Sequence, residues 1–206
     1  HIGWGGAVTP PILFRDLTGD PMTHSQPASS SSPALDLTAD CSRCAALCCV
    51  AYPFEEDEDF AILKETDHPC PNLSQSCFDC TIHADLNSRG FGGCIAYSCA
   101  GAGQRVTEVL FQGETWRDDP DLLPHMTHAL RVLRPIHEAL LILREASNLD
   151  LPQDIRHALN GLMTTLAVAD GTTIWDFEEA EVQEALASVP DFVPRLAPYV
   201  RKDPAI

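Results

Sequence analysis

The sequence predicts a mainly α-helical fold with little β structure, in which a small cysteine-rich domain precedes an antiparallel helical bundle. All nine cysteines lie in one stretch, between Cys41 and Cys99, and residues 120–206 contain none. Cysteines that only filled a core would be scattered along the chain, so this clustering indicates a separate domain. Apolar residues then recur at helical spacing. We therefore expect three parts, which are a disordered segment at 1–38, a cysteine-rich domain at 39–118 and a helical domain at 119–206.

The amino-terminal 38 residues have the composition of a disordered segment. Four consecutive serines at positions 29–32 lie between two prolines, and such a low-complexity stretch cannot bury a core. Residues 1–20 lack the basic and then apolar segments of a secretory signal. We therefore expect a cytoplasmic protein with reduced thiols. In that compartment a cysteine cluster binds metal or acts in catalysis more often than it forms disulfides.

The strongly acidic charge excludes several classes of partner. Thirty Asp and Glu side chains stand against 13 Lys and Arg, a formal net charge of −17. Phosphate backbones and anionic lipid repel such a chain, so we expect neither nucleic-acid nor membrane binding. No apolar run reaches the roughly 18 residues of a membrane span. The acidic surface is compatible with a basic protein partner, although no motif identifies one.

The spacing of the cysteines is typical of a metal site. From Cys41 to Cys99 the chain reads C-x2-C-x3-CC-x20-C-x6-C-x2-C-x13-C-x4-C, with two C-x2-C pairs. Such a pair brings two thiolates to one metal ion from a single tight turn, and tetrahedral zinc needs four ligands. Iron–sulfur clusters use the same donors. We therefore expect this domain to be stabilised by zinc, with an iron–sulfur cluster as the alternative cofactor.

Local sequence also indicates how the first motif is arranged. If residues 40–49 form one helix, Cys41, Cys44 and Cys48 share one face and Cys49 lies about 80° to 100° round. The spacer at 45–47 favours that helix. His68 and His83 lie close to the cysteines along the chain, and either would complete a Cys3His site, but we expect His83 to pack. Packing of the thiols as small hydrophobes is the alternative to metal binding.

Longer segments resemble a known family. The segments CSRCAALCC at 41–49, CPNL at 70–73 and CTIH at 80–83, with two later cysteines, resemble the zinc- or iron-chelating CxxCxxCC family, the YkgJ-like domain. CSRCAALCCVAYPF and RGFGGCIAYSCAGAGQRV are also similar to the cysteine-rich amino-terminal part of actinobacterial pentapeptide-repeat proteins. The likeness covers roughly residues 41–116. It implies eight metal ligands, which are Cys41, Cys44, Cys48, Cys49, Cys70, Cys80, Cys94 and Cys99.

The chain departs from the family pattern in two places. Three residues separate Cys44 from the Cys-Cys pair where the family has two, so either Cys48 or Cys49 is the ligand. Cys77 lies outside the pattern and is expected to be spare. Only residues 84–88 match a pentapeptide unit, and a solenoid needs several, so we expect no β-helix.

The resemblance and the charge leave three functions open. The first is metal binding in a structural or accessory role. Relatives in the family include a flagellin lysine methylase, which implies an iron–sulfur-dependent redox or methyl-transfer enzyme as the second. An acidic interaction scaffold is the third. No nucleophile elbow or complete phosphate loop is present, and we expect GAGQR at 101–105 to be a turn before a strand at 106–111.

The carboxy-terminal region predicts three to four helices. One apolar stripe includes His137 among leucines, with Pro135 marking a kink or a new start. Pro152 suits the first turn of the next helix, and Gly171 suits a stop after it. Asp176 with Glu179 resembles a capping box for a further helix, which Pro190 would end. The predicted core positions are Leu130, Leu133, Leu140, Leu141, Ile155, Leu159, Leu162, Met163 and Leu166.

Overall fold

The computed structural model describes residues 35–169 and 171–200. These residues form a mainly helical structure, which confirms the predicted fold class. Strand pairing in the described ranges is limited to two isolated antiparallel bridges, Phe54 with Lys64 and Leu73 with Cys80. None of the helices in the same ranges is both long and apolar enough to cross a bilayer.

The predicted disordered segment falls mostly outside the described residues. Positions 1–34 are outside them, whereas 35–38 are described and packed. Leu37 is buried, and the Gln104 side chain donates a hydrogen bond to the Thr38 carbonyl at 2.7 Å. The oxygen of the Gln104 side-chain amide accepts a hydrogen bond from the Asp40 N–H at 3.0 Å. The chain before the first cysteine is therefore held against a later helix.

The cysteine-rich region consists of short elements joined by turns. Its α-helices are brief and lie at α1 (Leu47–Ala51), α2 (Gly92–Ala96) and α3 (Ala102–Arg105). One π-helical turn continues α3 directly. The π-helical turn spans Val106–Leu110. Short 3-10 turns complete the region, and they lie at Cys41–Arg43, His83–Asp85 and Pro120–Leu122.

Four helices and a final 3-10 segment make up the carboxy-terminal region. They are α4 (Leu123–Ala146), α5 (Gln153–Ala167), α6 (Ile174–Glu178), α7 (Ala180–Phe192) and the 3-10 segment Val193–Tyr199. Helix α5 packs back against α4, and α7 packs against both. Leu130, Leu133 and Leu159 on the predicted stripes are fully buried, whereas Leu141, Leu162 and Met163 are only half-buried.

Three predicted helix ends differ in the structure. Pro135 does not start a new helix, because α4 continues through it, and Pro190 does not end its helix, because it lies inside α7. Proline removes a single backbone donor, and packing of the helix on its neighbours outweighs that loss. Helix α5 ends before Gly171, because Val168 takes the left-handed conformation at φ 41° and closes the helix there.

The predicted capping box is also displaced by three residues. The Asp176 carboxylate accepts the Thr173 N–H at 2.8 Å and the Thr172 N–H at 3.0 Å, and Thr173 is the N-cap of α6. Glu179 precedes α7 without any side-chain cap. The short helix α6 exists because Phe177 is buried in the core, a tertiary contact that no local pattern reports.

One hydrophobic core extends across the predicted boundary at residues 118 and 119. Leu47 and Ala51 of α1 and Ala102 of α3 belong to the same buried cluster as Met126 and Leu130 of α4. Helices α1 and α3 both pack on α4. The division into two domains stays a prediction, and the long helix α4 is the surface on which the cysteine-rich region is assembled.

Candidate metal centre

The first cysteine motif is not the single helix that the sequence predicts. Cys41 begins a 3-10 turn, Cys44 is extended at φ −122° and ψ 140°, and Ala46 is left-handed at φ 53°. The reason is tertiary hydrogen bonding. The Ala45 N–H donates to Thr107 Oγ1 at 3.1 Å, and Trp116 Nε1 donates to the Ala45 carbonyl at 2.8 Å. These bonds replace the helical ones, so only the Cys-Cys pair lies on α1.

The strand predicted at 106–111 is helical instead. Gly101, at φ 81°, precedes α3, and the chain continues into the π-helical turn. Gly103 of α3 lies directly against two thiols, because a Cβ atom there would be 2.7 Å from Cys44 Sγ and 3.7 Å from Cys99 Sγ. The absence of a side chain at this position lets α3 approach the first motif closely.

All nine cysteines are free thiols, and eight of them are linked, because each either changes the pKa of another thiol or has its own pKa changed by one. Burial raises the pKa of Cys44 to about 11 and that of Cys94 to about 11. Burial, and then the charges of Cys99, Cys49 and Cys80, raise the pKa of Cys41. We call the connected set the eight-thiol group, and it consists of Cys41, Cys44, Cys48, Cys49, Cys70, Cys80, Cys94 and Cys99.

The group is centred on the vicinal pair of α1. The adjacent Cys49 thiol raises the pKa of Cys48, and Cys48 in turn lowers the pKa of Cys49. Burial raises the pKa of Cys70, to which Cys49 also contributes. Among 35–169 and 171–200, no three His, Cys, Asp or Glu side chains are arranged closely enough to hold a metal ion. The thiols are therefore neighbours without forming a coordination sphere.

Cys77 stands apart from the eight-thiol group. It is exposed, and its Sγ donates to Asp79 Oδ2 at 3.3 Å. It is not among the main groups that raise the pKa of the other thiols. His68 and His83 are both exposed, so the expected packing of His83 is not seen. The His68 ring instead bonds the Thr66 carbonyl at 3.0 Å.

Sequence reasoning missed Lys64, a buried cation beside the thiols. Its Nζ donates to the carbonyls of Val50 at 3.0 Å, Glu65 at 3.1 Å and His68 at 2.9 Å. Those three bonds account for all the N–H donors of an ammonium group. Burial lowers the pKa of Lys64, whereas the charges of Cys70 and Cys49 raise it. The sequence contains one indication of a special role for Lys64, because it is one of only two lysines in the chain.

Among the residues that the structure describes, two buried polar atoms beside the group have no hydrogen-bond partner. They are Tyr97 Oη and Arg134 Nε, and the Arg134 guanidinium lies 4.9 Å from the centre of the Tyr97 ring. Burial raises the pKa of Tyr97, with smaller contributions from the charges of Cys48 and Cys99. A buried hydroxyl without an acceptor is costly, and a thiolate nearby would accept its hydrogen bond.

A buried histidine joins α4 to the residue that follows the last cysteine. His137 Nδ1 lies 2.7 Å from the Ala100 carbonyl, and its Nε2 lies 3.4 Å from Arg105 Nη1. The ring is therefore neutral, with Nδ1 donating and Nε2 accepting. Arg105 also donates to the carbonyls of Ala167 and Val168, at 3.0 and 2.7 Å, which ties α3 to the end of α5.

Comparisons with known proteins give one informative similarity. The chain is 43% identical over 124 residues to the uncharacterized protein YybG of Bacillus subtilis (strain 168). That match covers 60% of this chain and 44% of YybG, so it spans less than half the length of that relative. No protein-family model matches the chain, and no solved structure matches it.

Proposed function

We propose that this chain is a metal-binding protein whose eight-thiol group holds zinc or an iron–sulfur cluster in a structural or accessory role. The observation that supports the proposal is that eight free thiols from five separate segments of the chain are linked through pairwise influences on their pKa values, and that Cys77 is not among them. The cysteine spacing supports it independently through its resemblance to the CxxCxxCC family. Eight thiolates are enough for one or two tetrahedral sites.

The surroundings of the thiols suit a bound metal in donor type and charge. Burial makes free thiolates unfavourable, and a bound cation would stabilise them in that form. Lys64 supplies a fixed positive charge that offsets part of the charge of a thiolate centre. Within the described part of the chain Tyr97 Oη is a buried donor with no acceptor, and the charges of Cys48 and Cys99 contribute to its raised pKa. When bound, the metal would cross-link short elements that share little regular structure.

Zinc is the first choice of metal in this proposal. All-thiolate ligation suits both zinc and iron–sulfur clusters, so the donor set alone does not discriminate between them. The acidic chain gives a mild preference for a divalent cation. Four thiolates leave a large negative charge on either centre. Few cations lie nearby to offset that charge, and Lys64 is one of them.

Anaerobic purification, followed by elemental analysis and a visible spectrum, tests the proposal. A colourless protein with about one or two zinc ions per chain supports it. A brown protein with stoichiometric iron and sulfide supports metal binding but replaces zinc, and it favours the redox or methyl-transfer enzyme. A protein with no metal and no free thiols overturns the proposal in both forms and returns the cysteines to disulfides.

A further inference from the structure

Helix α6 exposes its largest side chain to solvent. Trp175 is 73% exposed, whereas Phe177 of the same helix is fully buried and Ile174 is half-buried. These two inward side chains fix α6 to the core, so its packing does not require the indole. A tryptophan with this exposure is unusual, because an aromatic ring gains a large free energy when it packs. Within the described ranges, the outer face of α6 is therefore an apolar surface that the fold leaves uncovered.

A cleft opens beside α6, between the end of α5 and the start of α7. Its volume is about 330 Å³. Val168 and Val182 give it apolar walls, and Glu179 and Glu181 add carboxylates. Asp176 lines it as well, but its carboxylate is occupied by the cap of α6. Apolar walls with carboxylates suit a lysine or arginine side chain, whose stem is apolar and whose tip is cationic.

The charge of this part of the chain has a single sign. Between Arg156 and Arg195 the sequence contains seven Asp and Glu residues and neither Lys nor Arg. Among the described residues no cation lines the cleft, and neither Glu179 nor Glu181 forms an ion pair. Arg105 reaches the end of α5, but it is buried and donates to backbone carbonyls there. The surface around α6 therefore attracts a cationic partner.

Charge complementarity selects one occupant for this surface. A second copy of the chain carries the same net charge of −17, and nucleic acid and anionic lipid are negative as well, so all three are repelled. A basic polypeptide has the complementary charge. An arginine of such a partner would also stack its planar guanidinium on the Trp175 indole.

We propose that α6 and the adjoining cleft form a docking surface for an arginine- and lysine-rich segment of a partner protein. One basic side chain of that segment enters the cleft between Glu179 and Glu181, and another lies on the Trp175 indole. Trp175 directly precedes Asp176, a residue of the cleft, so one short peptide spans both positions. The inference goes beyond the proposed function, because it does not depend on a metal in the eight-thiol group.

Binding of fluorescently labelled deca-arginine to the full chain tests the inference, by fluorescence anisotropy at about 0.15 M salt. The test variants are W175A and the double variant E179Q/E181Q. L63A is the matched control for the indole, because Leu63 is also 73% exposed. E55Q/E56Q is the matched control for the carboxylates, because both residues are exposed and the change in net charge is the same. Urea unfolding confirms that every variant is folded.

We expect deca-arginine to bind the original chain and the two test variants to bind it less tightly. Its affinity should fall about threefold in W175A, through loss of the stacking contact, and about fivefold in E179Q/E181Q, through loss of two ion pairs. Both controls should change the affinity by less than about twofold. Labelled deca-glutamate should not bind.

The remaining outcomes overturn the docking surface. Equal weakening in E179Q/E181Q and E55Q/E56Q would assign the binding to net charge alone. An unchanged affinity in W175A would remove the indole from the surface, and a failure of deca-arginine to bind would remove the basic partner. Sedimentation of the chain alone tests the competing occupant, since a dimer that is lost in W175A would identify a second copy. None of these results changes the metal content, so the proposed function is tested separately.

Discussion

At the scale of single residues, the nine cysteines differ in their surroundings although their side chains are identical. Cys44 is packed against Gly103, and Cys70 is buried, whereas Cys77 is exposed and its thiol donates to Asp79. A thiol within the eight-thiol group is linked to other thiols through their pKa values, whereas Cys77 is not among the main groups that change the pKa of another thiol. The consequences of losing each one should therefore differ.

We expect C44S and C80S to destabilise the protein more than C77S does. Each of the first two would open a metal site, and metal binding contributes directly to folding free energy. The measurement is metal content and urea unfolding of the three variants under reducing conditions. C77S serves as the matched thiol control. Equal metal content in all three would contradict the assignment of Cys44 and Cys80 as ligands.

Lys64 provides a second test at this scale. K64M removes three hydrogen bonds to buried carbonyls and the cation beside Cys49 and Cys70, so we expect a loss of about 2–4 kcal/mol of unfolding free energy. R43M is the control, since Arg43 is a solvent-exposed cation paired with Glu108 and should contribute little. Urea unfolding measures both. Equal losses would mean that the buried charge has no special role.

At the scale of elements, α3 is positioned by the absence of a side chain. G103A would place a Cβ atom 2.7 Å from Cys44 Sγ, and relief of that clash requires the half-buried Cys44 side chain, or α3 itself, to shift. We expect a loss of about 1–3 kcal/mol, typical of an overpacked core. Thermal or urea unfolding provides the measurement.

A second glycine in the chain makes the comparison direct. Gly161 lies inside α5, and a Cβ atom there would meet nothing within 4 Å. G161A should therefore stabilise the protein by up to about 1 kcal/mol, through helix propensity alone. We therefore expect G103A to lower the free energy of unfolding and G161A to raise it. A stabilising G103A would show that α3 does not need its close approach to the thiols.

At the scale of the whole molecule, His137 connects the long helix α4 to the cysteine-rich region. Burial, together with the nearby Arg105 charge, lowers the pKa of His137 to about 4, although the Ala100 carbonyl opposes the shift. An added proton on Nε2 would face the Arg105 N–H, so the native state disfavours the charged ring. The neutral imidazole is thus part of the contact between the two regions.

This pKa has a definite consequence for stability. The unfolded chain takes up a proton near pH 6.5 but the native chain only near pH 4, so stability contributed by neutral His137 is lost as the pH falls between those values. The contribution is on the order of 2–3 kcal/mol. Urea unfolding across that range should show a shallower loss in H137Q than in the original chain. H125Q, at an exposed position on the same helix, is the control.

The sequence by itself determined the class of the fold and much of its core. Helical periodicity located α4 and α5, and their buried faces include the predicted leucines, because a long amphipathic stripe is a local property of the chain. The clustering of the cysteines also located the region in which eight of the thiols are linked through their pKa values. Their role as ligands remains a prediction that metal analysis will test.

Only the tertiary structure decided how the site is built. The bonds that break the first motif at Ala45 come from Thr107 and Trp116, which lie 62 and 71 residues away in sequence. The cation at Lys64 is held by backbone carbonyls, which no side-chain pattern reveals. Local propensity describes neighbours along the chain, whereas these contacts form between segments that meet only after folding. The helix expected at residues 40–49 therefore gave way to the turn that places Cys44 against Gly103.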